Sequence, residues 1–333
     1  MKKLIHFVGI DVSKETFDLA LIKNNDVSQI IQKVFLNNPK GFKELNSWLK
    51  QQKTAYFDTV FCVEHTGYYS KLIAKFIIAK KGNLWMEMSL KIIRSLGIQR
   101  GKNDKIDARR IALFAHRNQQ DYKPYNPPRP IIEKLKTMLM LRQKLINSKL
   151  SITIPVNELK RIDKPAGKEA MAITSITMNA LGKNLLTIEQ RIDDLVASDK
   201  DLAEKYKLVT SVPGIGKITF CYLAYFTNEF KNYSQAKQLA CYCGVVPFEY
   251  TSGKSVRGKP KVHNMANKFM KKLLHTAALC AVTYYPEFKA YYERKINENK
   301  NRMLILNNVR NKLIIRVAAV VKNNQPYSVH SAT

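Results

Sequence analysis

The sequence predicts a mixed α/β sheet domain followed by an all-α remainder, with a long helical arm between them. Three observations carry this. Short apolar runs separated by turn residues fill positions 4–88, and two of them close on a carboxylate. The segment Pro124-Tyr125-Asn126-Pro127-Pro128-Arg129-Pro130 then places four prolines in seven residues, which no helix interior tolerates. Beyond it, residues 131–205 hold no glycine except Gly167 and Gly182 and repeat Leu, Ile and Met at helical spacing.

Taken in order, Ile5–Val12 and Thr16–Ile22 read as strands joined by Ser13-Lys14-Glu15, and Ser28–Leu36 as a third. Asn38-Pro39-Lys40-Gly41 breaks the pattern, and Phe42–Leu49 has helical spacing. Val60-Phe61-Cys62-Val63-Glu64 is a continuous apolar run, as a strand buried on both faces requires. Tyr68–Ala79 reads as a helix stopped by Gly82, and Leu84–Met88 as a fifth strand. Asn103 is placed to cap a helix carrying Asp104, Asp107 and then Ile111, Ala112, Phe114 and Ala115. This order of elements suits an RNase H-like fold for residues 1–123.

Leu135, Leu139, Leu145 and Ile146, then Leu185, Ile188, Ile192 and Leu195, predict long helices over 131–205, a coiled-coil arm or an ordinary bundle. Residues 206–325 read as helices with loops. Ser234 and Gly244 bracket one helix as caps, and further helices span about 264–282, 287–299 and 303–321. Val212-Pro213-Gly214-Ile215-Gly216-Lys217 is a tight turn whose amides, at Gly214 and Gly216, suit a phosphate as well as they suit a plain helix junction. A polar loop over 247–261 holds Thr251-Ser252-Gly253 and the cations Lys254, Arg257, Lys259 and Lys261.

The chain has 333 residues with 56 Lys+Arg against 26 Asp+Glu, a net charge of +30. Such an excess points to a polyanion held through its phosphates, with binding that weakens steeply as salt rises. No apolar run approaches the ~20 residues a membrane-spanning helix needs. Asp11 interrupts the only apolar stretch near the start, so no signal peptide is expected, and five cysteines in apolar surroundings suit a reducing cytoplasm. Cys241 and Cys243 lack partners at zinc spacing.

Against this charge Asp11, Glu64, Asp104 and Asp107 stand out. Two sit on strands, and two lie one helical turn apart, so they can share a face. Clustered carboxylates in a basic chain suggest magnesium acting on nucleic acid. Ser252 sits among cations able to hold an attacked phosphate, though a Ser-Gly pair is also a common turn. Ser255 is a second candidate in the same loop.

The motifs Gly9-Ile10-Asp11-Val12-Ser13-Lys14, Val63-Glu64-His65-Thr66-Gly67 and Asn103-Asp104-Lys105-Ile106-Asp107-Ala108 resemble the DEDD insertion-sequence transposases, whose N-terminal domain is similar to the RuvC resolvase. Val212-Pro213-Gly214-Ile215-Gly216, Leu239-Ala240-Cys241-Tyr242-Cys243-Gly244-Val245-Val246-Pro247 and Ser252-Gly253 resemble the C-terminal domain of the same family, in the same order. At His263-Asn264-Met265-Ala266-Asn267 the chain departs from the family's pattern, with Ala266 where a glycine is common. The resemblance implies a DNA recombinase guided by a structured bridge RNA that pairs with donor and target DNA. It implies magnesium held by Asp11, Glu64, Asp104 and Asp107, and a phosphoserine link formed by Ser252. It also implies dimers and tetramers assembled through the arm, with each active site shared between subunits, in the nucleoid of a prokaryotic cytoplasm. Two alternatives stay open on the residues alone: a junction nuclease using metal-activated water, and an RNA-binding scaffold without catalysis.

Overall fold

A computed structural model describes residues 4–64, 67–95, 104–233, 235–252 and 256–328, with the backbone alone at 250–252, 256, 257 and 259. The chain forms two compact units, Met1–Pro127 and Pro128–Thr333, divided inside the proline-rich segment.

The first unit is built on strands β1 (His6–Val12), β2 (Thr16–Lys23), β3 (Asp26–Leu36), β4 (Thr59–Glu64) and β5 (Asn83–Glu87). They lie in the order β3-β2-β1-β4-β5, the first three antiparallel and the last two parallel to β1. This is the RNase H-like arrangement that the element order predicts. Side chains alternate across a strand, so each strand feeds two cores. Val8, Ile10, Phe17, Leu19, Leu21, Phe61 and Val63 face helices α1 (Pro39–Gln51) and α2 (Ser70–Ala79). Phe7, Ala20, Ile22, Val60, Cys62 and Trp85 face the other way, under α3 (Ser89–Ser95) and α4 (Asp104–Arg117). Strand β3 closes the sheet as an exposed edge guarded by Gln32 and Lys33. The helix α3 is an element the sequence reading lacks: at 7 residues it is too short to show a period.

Gly9 sets how near α4 comes. A Cβ at this position would overlap Ala112 N and Ala108 O and stand 2.8 Å from Ala112 Cα. Only a hydrogen fits between strand and helix. Gly9→Ala is therefore expected to lift α4 from the sheet and to cost roughly 1–3 kcal/mol, the usual penalty of overpacking, measurable by urea denaturation.

In the second unit α5 (Pro130–Ile162) and α6 (Lys164–Ala197) form a helical hairpin, the expected arm. Pro130 is the first residue of α5, where its missing N–H costs nothing. The arm has no separate core. Ile132, Leu135, Leu139, Ile192, Leu195 and Val196 at its base join the core made by α7 (Lys200–Thr210), α8 (Lys217–Phe226), α9 (Ala236–Tyr242), α10 (Lys268–Tyr284), α11 (Pro286–Asn297) and α12 (Arg302–Asn323). The segment expected to be a loop over 247–261 is instead a two-stranded hairpin, β6 (Phe248–Ser252) and β7 (Val256–Lys261). Gly258 and Pro260 in β7 hide it from any reading by strand propensity. The proposed caps Asn103 and Ser234 lie outside the described residues.

Arg129, just before α5, bonds two elements of this unit. Its guanidinium donates to Glu229 at 2.8 and 2.5 Å and to Asp199 at 2.8 and 2.9 Å. Asp199 also caps α7 by accepting from Leu202 N. Glu229 sits in a run of three residues with positive φ, Asn228, Glu229 and Phe230, at 49°, 57° and 68°. None is glycine, so the surroundings must hold this backbone in place.

Candidate active site

The sheet places the acids through register. On β1, residues 7, 9 and 11 point toward α4, so Asp11 shares that face with Phe7 and Gly9. Asp18 is the direct antiparallel partner of Asp11. On β4, Val60 and Cys62 face α4, so Glu64 does as well. The parallel pairing of β1 and β4 is recorded to Ile10↔Val63, and one residue further Asp11 stands level with Glu64. Glu64 in turn pairs with Glu87 on β5. Asp18, Asp11, Glu64 and Glu87 thus form a row of carboxylates across four neighbouring strands, at the carboxyl ends of the parallel ones.

Helix α4 adds two more. Ala108, Ile111, Ala112 and Ala115 bury against the sheet. Asp104 and Asp107 lie four residues before Ala108 and Ile111, on the same side of the helix. With Ala112 over Gly9, the five residues back to Asp107 span roughly 7 Å of helix. Two residues forward along β1 to Asp11 span about the same distance. The close approach allowed by Gly9 therefore brings the first turn of α4 over Asp11.

Electrostatics reflect this crowding. Burial, then the charges of Glu64, Asp104, Asp107 and Asp18, push the Asp11 carboxyl up to about 6 from 3.8. Burial and the nearby Asp104 also raise Asp18, while Lys105 opposes them. Two of the acids are engaged locally. The Ser89 hydroxyl donates to Glu64, and Arg110 pairs with Asp107 at 2.8 Å. Among the described residues no three His, Cys, Asp or Glu side chains stand at metal-ligand spacing. The other three predicted acids, Glu64, Asp104 and Asp107, are thus electrostatic neighbours of Asp11 rather than members of a closed ligand cage. Asp18, Ser89 and Arg110 are absent from the sequence reading. Only the β1–β2 register, not any motif, marks Asp18.

In the second unit Ser252 ends β6 and pairs with Val256 across the hairpin. Arg257, Lys259 and Lys261 belong to β7, with Lys261 exposed. Gly253, Lys254 and Ser255 lie outside the described residues. Gly214 has φ +74°, and a Cβ there would overlap Ala277 O of α10. That glycine serves a helix junction. Gly216 is exposed at the N-cap of α8, with open space around it. Cys241 and Cys243 are free thiols, and burial raises Cys243 to about 12. Among the described residues no helix is long and apolar enough to cross a membrane.

A family model described as "Transposase" matches residues 8–157, which take in all four acids and the start of the arm. The chain is a DNA recombinase of the transposase class. A second model, "Transposase IS116/IS110/IS902 family", matches residues 206–293, which include the hairpin. Full-length relatives include the pilin gene-inverting proteins of Moraxella bovis and Moraxella lacunata. Each is 26% identical over 330 residues, 96% of this chain and 97% of the relative. The insertion element IS110 43.6 kDa protein of Streptomyces coelicolor is 26% identical over 36% of this chain and 30% of its own length. Among solved structures, T. thermophilus RuvC in complex with a Holliday junction substrate aligns over 36% of this chain and 99% of its own, with 12% identity and a TM-score of 0.29.

Proposed function

We propose that the chain cuts and rejoins DNA through a phosphoserine intermediate, with Asp11, Glu64, Asp104 and Asp107 holding magnesium and Ser252 as nucleophile. The observation that carries this is the placing of Asp11, its sheet neighbours Asp18 and Glu64, and the first turn of α4 on one face, with Asp11 raised to about 6. An all-oxygen donor set suits a hard divalent cation. Such a cation, when bound, neutralises charge that develops on the attacked phosphate.

The chain's own residues supply the rest. The Ser252 oxygen bonds to phosphorus as the bond to the leaving strand's hydroxyl breaks, and the serine proton passes to that hydroxyl. Rejoining is the reverse, with a hydroxyl from another strand attacking and the serine recovering its proton. Lys254, Arg257, Lys259 and Lys261 steady the phosphate. A structured RNA that pairs with donor and target supplies sequence choice, and copies of the chain assemble through the arm so that one copy's serine works with another's acids. The gene-inverting relatives favour one further reading of the same chemistry, in which two sites in opposite orientation yield inversion of the DNA between them.

Mixing separates these roles. Ser252→Ala and Asp11→Ala proteins are each expected to be inactive alone. Combined with RNA and DNA, they should regain cleavage and a protein–DNA adduct carried only by the chain that keeps Ser252. A co-assembled mixture without any adduct would defeat the shared site. An adduct formed by Ser252→Ala alone would move the role to Ser255. A plasmid with sites direct or inverted distinguishes excision from inversion.

A further inference from the structure

We infer that Asp18 is a fifth carboxylate of the metal site, holding the hydrated cation from the β2 side opposite Asp11. The inference rests on the metal reading above and adds a residue that the four-acid motif lacks.

Three observations support it. The first is position. Asp18 pairs with Asp11 in the antiparallel ladder, on the face covered by α4, and directly opposed residues have Cβ atoms roughly 5 Å apart. That separation lets two carboxylates grip one ion or its inner waters. The second is burial. Asp18 is only 9% exposed, yet it takes part in no hydrogen bond or ion pair among the described residues. The side chain is largely buried while its carboxylate oxygens still reach solvent, so they stay open to an ion entering the site. The third is contrast within the acidic row. Glu87, at the other end, already accepts from Lys91 at 2.8 Å and from Met88 N at 3.0 Å. Glu64 accepts from Ser89, and Asp107 from Arg110. Asp11 and Asp18 are the two members of the row left without a donor among the described residues. They face each other, so the open position lies between them.

The chemistry fits magnesium better than a lone proton relay. Magnesium keeps several of its waters and is held through one or two carboxylates directly. A nearby acid that accepts from those waters tightens the site without being an inner ligand, and removing such a partner commonly weakens metal affinity 10–100-fold. Calcium, with more ligands and a larger cavity, would need Glu64 and Asp107 as well, which Ser89 and Arg110 already engage.

The test is a titration of the full-length protein with Mn2+, standing in for magnesium and followed by the electron paramagnetic resonance of the free ion. No nucleic acid is present. Asp18→Asn, equal in size but uncharged, is expected to weaken Mn2+ binding about 10-fold. It should also raise the metal-free melting temperature and shrink the further rise that Mn2+ produces. Glu87→Gln, whose carboxylate Lys91 already neutralises, should leave the affinity at the wild-type value. Wild-type binding retained in Asp18→Asn would overturn the role of Asp18 while leaving the four-acid site intact. No Mn2+ binding by the wild type would overturn the metal reading itself. If Asp18→Asn does not fold, Asp18→Ser is tested in its place. Failure of both to fold would show that Asp18 supports the sheet rather than an ion, and would overturn the inference.

Discussion

Asp11→Asn is expected to stabilise the metal-free protein at pH 7.5 while reducing strand cleavage by roughly 10³-fold or more, the effect of losing several kcal/mol of charge stabilisation in the transition state. The opposite signs come from one cause. Asp11 has a folded pKa near 6 against 3.8 unfolded, because burial and four neighbouring acids disfavour its charge. For a carboxyl raised on folding, the penalty is absent below pH 3.8, where both states are protonated. It grows as pH rises and is complete above about 6. At 1.36 kcal/mol per pKa unit the full penalty is about 3 kcal/mol. Without metal, wild-type stability should therefore fall between about pH 4 and 6, and the variant should lose most of that slope. Excess Mg2+ at pH 7.5 should restore the wild type and do little for the variant. Melting curves at several pH values, with and without Mg2+, check all of this. A variant less stable than the wild type without metal would mean that Asp11 makes a favourable contact in the fold.

Arg129→Met is expected to destabilise the second unit by about 3 kcal/mol at pH 7, near the lower end for breaking a buried ion pair. The side chain of Glu229 is fully buried. Burial alone would raise its pKa, but the hydrogen bonds from Arg129 and the charges of Lys205, Arg129 and Lys231 outweigh burial and hold it at about 2, against 4.5 unfolded. A lowered carboxyl stabilises the fold fully above pH 4.5, and that contribution disappears as pH falls toward 2. In the variant Lys205 at 3.4 Å and Lys231 at 3.3 Å are the cations left beside Glu229 among the described residues, and Asp199 loses its guanidinium. The variant should therefore be less stable at pH 7 and lose less on acidification, so the gap between the two proteins is narrower at pH 3 and closes toward pH 2. Urea denaturation at pH 7 and pH 3 provides the comparison. Equal stability at pH 7 would mean that the three positive-φ residues hold the turn unaided.

The sequence by itself determined most of the framework. The apolar runs of β1, β2 and β4, the break at 124–130, the helical arm and the four acids were legible, because burial imposes a period on local sequence. Its charge excess and ordered motifs pointed to a nucleic-acid recombinase before any coordinate. Other features were set by contacts between distant residues. Asp18 looks like one acid in an ordinary strand until pairing with β1 sets it against Asp11. Nothing near Glu64 in sequence tells that Ser89 will hold it, since that bond joins two segments 25 residues apart, whereas Arg110 stands one helical turn after Asp107, where spacing alone already permits the pair. The hairpin bearing Ser252 read as a loop because Gly258 and Pro260 disfavour strands, and ladder pairing between β6 and β7 overrides that preference. Gly9 read as part of a motif, but its physical role came from the helix lying against it. Tertiary structure decided these points because register and close approach are properties of two segments together, and neither segment carries them alone.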